Sequence, residues 1–224
     1  MTSRQDTFAK GREATVNGAG APVLRAHPAS ARGRKTLERI LAATTELAAE
    51  VGFEAINTNL IAARAGVNIA SLYKYFPNKQ AIFVTIAERL GVAFQAEVRS
   101  LVGQIDAGRP CREAISEGIR LAARRRLDAP GERSIRMAIR LSPEIQGVDA
   151  AEAEANAAVL AGLIARRSGA PEARARLVGR VAIEMAAAIL DMLLAGPGQD
   201  AEALVEEATE AFIRYLEPWM EPSR

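Results

Sequence analysis

Side chains able to run acid-base or nucleophilic chemistry are scarce in this chain of 224 residues. There is one histidine, His27, and one cysteine, Cys111, far apart in the sequence. No Cys/His cluster, phosphate-cradling loop or dinucleotide-binding glycine run accompanies them. A lone histidine without a ligand partner is not a metal site, and a lone cysteine cannot close an internal disulfide. Glu184 and Asp191 are spaced to share one helical face, but such pairs ordinarily line a solvated surface or meet a neighbouring cation. The residues point away from an enzyme and ask for no cofactor and no metal.

The polar groups that do cluster lie between Asn57 and Lys79, and their chemistry is that of contact with a polyanion. At 100° per residue, Ile69, Leu72 and Phe76 form one apolar stripe. Ala70 and Lys74 point the opposite way, Ser71 and Tyr73 lie on the flanks, and no carboxylate faces outward. The amide of Asn68 opens this short helix, and Lys79 follows it. A second helix must position it, and the sequence supplies one from Thr58 to about Ala65, ended by Gly66. Val67 can then turn inward, while Ala62 is small enough for a close crossing. This is the helix-turn-helix plan, over about 57–76, whose second helix enters the major groove of double-stranded DNA. Helix pairs joined by a glycine are common in all-α proteins and most bind nothing, so the reading rests on the solvent face.

Ile40-Leu41-Ala42-Ala43, Val51-Gly52-Phe53, Ile61-Ala62, Ala65-Gly66-Val67, Leu72-Tyr73-Lys74-Tyr75-Phe76 and Lys79 together resemble the N-terminal domain of the TetR (tetracycline-repressor-like) transcriptional regulators. The resemblance covers about Arg34 to Leu90 and departs from the usual pattern at Leu60, Ala70 and Gln80. It implies that Thr58, Tyr73 and Lys79 hold phosphates, while Asn59, Ala70, Ser71 and Lys74 lie nearest base edges; Asn68 joins the DNA-binding set from the polar face itself, and Arg34 and Lys35 from the basic segment ahead of it. It further implies a homodimer that binds operator DNA and a small-molecule effector whose binding changes the separation of the two heads. An activator or ligand-independent regulator of the same fold, and a helical ligand-binding protein without DNA binding, remain open as alternatives.

The rest of the chain reads as helix. Alanine, leucine, arginine and glutamate dominate, and aromatics are 4% of residues, which favours an all-α fold. The formal charge of +2 conceals an asymmetry: residues 1–35 carry seven basic groups against Asp6 and Glu13, a net of +5. Residues 1–32, without apolar period and rich in Gly, Ala, Ser, Thr and Pro, are expected to form a disordered basic arm. Such an arm is either a solvated tail or a contact to DNA backbone or minor groove through Arg32, Arg34 and Lys35.

A three-helix DNA-binding domain is expected over 33–93. Its first helix runs from about Arg34 to Glu50 with Ile40, Thr44, Leu47 and Val51 on one face, and Gly52 stops it. Its core is Ile40, Leu47, Phe53, Ile61, Val67, Leu72 and Phe76. A long helix from Asn78 to Gly103 leads into an effector-binding and dimerisation domain, 94–224, cut by prolines into helices near 111–127, 132–141, 144–168, 172–195 and 200–218. Ala151 to Ala158 reads as shallowly packed. Leu177, Val181, Ile189 and Leu193 with Leu204, Ala208, Ala211, Tyr215 and Trp219 are the candidate dimer surface, or else the core of the monomer. Arg120, Arg124, Arg125 and Arg126 could attract an anionic effector or form a solvated face; Met185 and Met192 could line a pocket or fill a core. No stretch approaches the roughly 20 apolar residues needed to span a bilayer, so a cytoplasmic location is expected.

Overall fold

Helix caps written into the sequence set where each element of the N-terminal domain begins. The computed structural model describes residues 24–26, 28–128, 130–141, 143–192 and 201–220, and among these every regular element is an α-helix. The first, α1 (Ala31–Ala55), opens where the Ser30 hydroxyl accepts from the Gly33 N–H at 3.1 Å. It starts ahead of the expected Arg34 because the cap, and not the first apolar residue, decides a helix N-terminus. Gly52, at φ 74° and ψ 167°, turns α1 through a corner and carries Phe53 back against Phe83, ring centroids 4.7 Å apart and nearly perpendicular. Asn57 caps α2 (Thr58–Ala65) through Leu60 N–H, Asn68 caps α3 (Ile69–Tyr75) through Ala70 N–H, and Asn78 caps α4 (Lys79–Asp106) through Ala81 N–H. Between α2 and α3, Gly66 takes φ 60° and ψ 40°, and the Val67 N–H returns to Ala62 O at 3.0 Å.

At 28 residues α4 is about 42 Å long at 1.5 Å per residue. It connects this head to a body made of α5 (Cys111–Asp128), α6 (Pro130–Leu141), α7 (Pro143–Ser168), α8 (Glu172–Met192) and α9 (Ala201–Met220). Pro130 and Pro143 open their helices, where a missing N–H has no partner to lose. The expected extension of α8 to Leu193 and beyond lies outside the described residues.

Ile40, Leu47, Ile61, Leu72 and Phe76 are buried at the centre of the head, with Phe53 and Val67 packed at its margin. Two assignments change. Val51 is 47% exposed, because the core face of α1 ends at Ala48, ahead of the Gly52 corner. Tyr75 is buried although its ring was not counted in the core. A third finding was not visible from periodicity: Ile135 and Ala138 of the body helix α6 have no exposed surface and belong to the head core. Here α6 packs on α1 so closely that a Cβ on Gly131 would stand 2.5 Å from Thr45 O.

The body has its own core, running from Val102 and Ile105 through Leu163 and Ile164 to Ile213 and Leu216. The alanine-rich stretch of α7 from Ala151 to Ala158 is shallow at Ala151, Glu154, Ala155 and Ala158, which are exposed, but not throughout. Asn156 and Ala157 are each 2% exposed, and α8 crosses there with no room for a side chain at Gly179, whose Cβ would lie 2.6 Å from Ala157 O. Small residues at that crossing bring two backbones together, which an apolar-moment argument counts as weakness. In contrast, Leu177 and Val181 of α8 are 61% and 44% exposed, while Ile189 is buried in the body.

The two glycines make a paired prediction. Gly179→Ala should destabilise the protein by about 1–3 kcal/mol through overpacking. Gly103→Ala, on an open stretch of α4, should stabilise it by up to about 1 kcal/mol. Urea unfolding of both variants measures the difference, and equal effects would contradict the close crossing of α7 and α8.

Candidate nucleic-acid interface

On α3 the alternation of buried and exposed positions leaves a polar ridge. Leu72, Tyr75 and Phe76 are buried, whereas Ala70, Tyr73 and Lys74 are exposed and Ser71 is half-buried. The hydroxyls of Thr58 and Tyr73 meet at 2.9 Å, so the start of α2 and the middle of α3 are joined side chain to side chain. Asn59 is exposed next to Thr58. Asn68 spends its side-chain oxygen on the Ala70 N–H at 2.8 Å, which leaves its amide NH2 for another acceptor. Lys74 stands 5.8 Å from the centroid of the Tyr75 ring.

Beside this ridge is a concavity of about 410 Å³ lined by Arg32, Lys35, Thr36 and Arg39 of α1 and by Gly66, Val67, Asn68 and Ser71. Three cations converge on it and no carboxylate lines it. Lys35 was expected here; Arg34 is exposed but does not line the concavity. Arg39 was missed, although the signal was available: positions 32, 35, 36 and 39 follow the i, i+3, i+4, i+7 rule of a single helix face. Its guanidinium also donates to Gly66 O at 2.9 Å and so ties α1 to the turn between α2 and α3.

Part of the expected arm lies along the head. Leu24 packs against the head core, the Arg25 N–H donates to Tyr75 O at 2.7 Å, and the Arg25 guanidinium approaches Tyr73 O at 3.4 Å. These contacts arise because the carbonyls at the C-terminal end of α3 have no helical partners and accept from a passing chain. Residues 1–23 and His27 lie outside the described residues.

Lys79 is engaged differently from a free phosphate ligand. Its ammonium donates to Phe53 O and Ile56 O, both at 3.1 Å, and lies 4.4 Å from the centroid of the Phe53 ring. It caps the C-terminal end of α1, where the helix dipole favours a cation. Two acids of α1 are likewise occupied. Glu50 accepts two bonds from Arg64, and Glu38 accepts two from Arg89. These guanidiniums hold both carboxyls below their usual range. Burial pushes the Glu88 carboxyl the other way.

Residues 40–86 match the family model described as "Bacterial regulatory proteins, tetR family", and residues 110–216 match "Tetracyclin repressor-like, C-terminal domain". A TetR-family transcriptional regulator from Streptomyces coelicolor is 30% identical, with 83% of this chain and 97% of that chain covered and a TM-score of 0.61. This chain belongs to the TetR family. A fatty acid degradation regulator, FadR from Bacillus halodurans, shares the fold at a TM-score of 0.60 and 17% identity, over 81% of this chain and 96% of that one. The HTH-type transcriptional repressor KstR of Mycolicibacterium smegmatis is 39% identical over 56 residues, which is 25% of this chain and 28% of KstR. The chain thus spans about a quarter of the length of the curated relatives it matches.

In the TetR-family body there is an apolar cavity of about 80 Å³ lined by α4, α5, α7, α8 and α9, with Phe94, Leu101, Ile119, Phe212 and Met220 among its walls. Glu97 is the one ionisable side chain of that lining. Met185 packs against the body core and Met192 is 38% exposed; neither lines the cavity. Of the basic run on α5, Arg120 and Arg124 are exposed and Arg125 is half-buried in an ion pair with Glu97. The side chain of Arg126 lies outside the described residues. Among the described residues no group of three or more His, Cys, Asp or Glu is placed to hold a metal ion, and no helix is long and apolar enough to cross a membrane.

The position of Lys79 yields a test of its role. Lys79→Met should lower the unfolding free energy by about 1–3 kcal/mol, since two carbonyls at the end of α1 lose a charged donor. Unchanged urea stability would show that the lysine does not hold α1 to α4.

Proposed function

We propose that this protein is a homodimeric transcriptional repressor that binds double-stranded operator DNA through α3 and is released by a small molecule held in its body. The observation that carries this reading is the ridge of Ser71, Tyr73 and Lys74 next to a concavity lined by three cations and no carboxylate. Phosphate contacts from Arg32, Lys35, Arg39, Thr58 and Tyr73 would position the head, and Asn59, Ala70, Ser71 and Lys74 would meet base edges. One such head buries only about 600–1,000 Å² on DNA, so two heads on half-sites about one helical turn apart are needed for specific binding.

The exposed Leu177 and Val181 on α8 and Leu204 on α9 support pairing of two copies through these helices. Release requires only that the effector favour one head spacing over another. The cavity walls Phe94, Val98, Leu101 and Ile105 belong to α4, the same helix that carries the head, so a molecule seated there bears directly on its tilt. The names of KstR as a repressor and FadR as a regulator agree with this role.

Fluorescence anisotropy with the DNA upstream of the protein's own gene tests the reading, with a selected random-DNA pool as the second substrate. Sequence-selective binding with a steep salt dependence is expected, and Tyr73→Ala and Lys74→Ala should each cost about 1–3 kcal/mol of affinity without changing the fold. No preferred site in either substrate would overturn the proposal. Leu177→Glu together with Val181→Glu should convert a dimer to a monomer in sedimentation equilibrium and abolish tight operator binding, whereas a wild-type monomer bound to DNA would exclude this dimer surface.

A further inference from the structure

The body cavity has a chemical polarity along its length. Its α4 wall from Phe94 to Ile105 extends about 16 Å at 1.5 Å per residue, and at about 80 Å³ the void takes an apolar chain only by parting the side chains along that wall. Aliphatic and aromatic side chains supply nearly all of the lining. The exception is at the end nearer the head, where Glu97 accepts from Nη1 of Arg125. On α5 the lining ends at Ala122, and Arg125 follows Gly118 and Ala122 at i, i+4, i+7, which places it on the same helix face just beyond the wall, against the lining residue Glu97.

Arg125 is not satisfied by that pair. Its Nε is buried and has no hydrogen-bond acceptor. A guanidinium presents its donors in a fixed fork, and the edge carrying Nε matches the two oxygens of a carboxylate. Glu97 uses Nη1, so the Nε edge is the one left for a ligand. A buried donor without an acceptor is unfavourable, and a ligand that supplies the acceptor gains what the free protein forgoes. Arg125 itself offers an ammonium head group nothing, since a guanidinium carries donors and no acceptor. Arg124, exposed beside it on α5, adds positive charge against the repulsion between Glu97 and an incoming anion.

We infer that the cavity takes an amphiphile with a single carboxylate, its apolar chain lying between α4, α5 and α9 and its head group on the Nε edge of Arg125. This names the effector class for the repressor described above and rests on that reading for its regulatory consequence, but not for binding itself.

Calorimetric titration of the full-length protein with dodecanoate, methyl dodecanoate and dodecylamine, each below its micellar concentration, tests the inference. Dodecanoate should bind at least about tenfold more tightly than the ester or the amine, the equivalent of one charge-assisted hydrogen bond. Arg125→Gln should remove that preference, while Glu97→Gln, which takes away a competitor for the guanidinium, should keep or strengthen it. Circular dichroism establishes that each variant is folded; if Arg125→Gln is not, the ranking of the three ligands and the response of Glu97→Gln decide. Equal affinity for all three, preference for the amine, or loss of dodecanoate binding in folded Glu97→Gln overturns the inference. DNA binding without any ligand is measured separately. A protein that selects an operator but ignores dodecanoate refutes the effector class alone, and one that binds dodecanoate through Arg125 but selects no DNA refutes the repressor reading alone.

Discussion

The ammonium of Lys79 stands where the last carbonyls of α1 meet the first turn of α4. A cation at the start of its own helix faces the unfavourable end of that helix's dipole, and Lys79 escapes this by reaching to the opposite end of α1. Its charge also lies against the Phe53 ring, whose edge packs on Phe83 one turn into α4. The corner at Gly52 is what brings Phe53 to that spot. Through these contacts the origin of the longest helix is fixed to the scaffold that carries α2 and α3. The placement of the polar ridge and the direction of α4 into the body are therefore set by one small cluster.

The head was legible in the sequence because its determinants are local. Asn57, Asn68 and Asn78 each accept from a backbone N–H two or three residues on, and Gly66 takes the left-handed conformation that only its own φ requires. The stripe of Leu72 and Phe76 likewise depends on nothing beyond helical spacing, and so the exposed set of Ala70, Tyr73 and Lys74 follows. What periodicity does not carry is the identity of the partner. It marks Ile135 and Ala138 as apolar without assigning them to the head, and it marks Leu177 as apolar without revealing that the monomer leaves it in water. At Ala157 and Gly179 it fails for another reason: close approach of backbones relies on the absence of side chains, which no hydrophobic pattern records. Lys79 and Arg39 show where sequence stops, since a long basic side chain can serve a carbonyl or a phosphate with equal chemistry, and only the fold reveals that both donate to backbone carbonyls.

The same division runs through the candidate site. Apart from Asn59 on α2, the residues that would read DNA sit on one short helix and could be named from it, whereas the basic concavity is assembled from α1, the turn before α3 and Ser71, and exists only once those elements pack. The cavity in the body is assembled from five helices, with Glu97 and Arg125 meeting from α4 and α5. The head core and the body cavity share α4, which contributes to the first near its start and walls the second farther along. A helix rooted in two cores transmits displacement as a rigid rod, because close-packed interiors shift between arrangements and do not deform continuously.

The burial of Ile135 and Ala138 in the head bears on how such proteins can be recombined. A chimera joined within α4, with the head of one regulator and the body of another, would take its α6 from the foreign body. The head would then meet side chains shaped for a different α1, and the seat of Gly131 against Thr45 would be filled by whatever the donor carries. Modular exchange in this fold therefore has a natural unit larger than the DNA-binding segment. A graft that keeps its native stability has to carry α6 along with the head it closes.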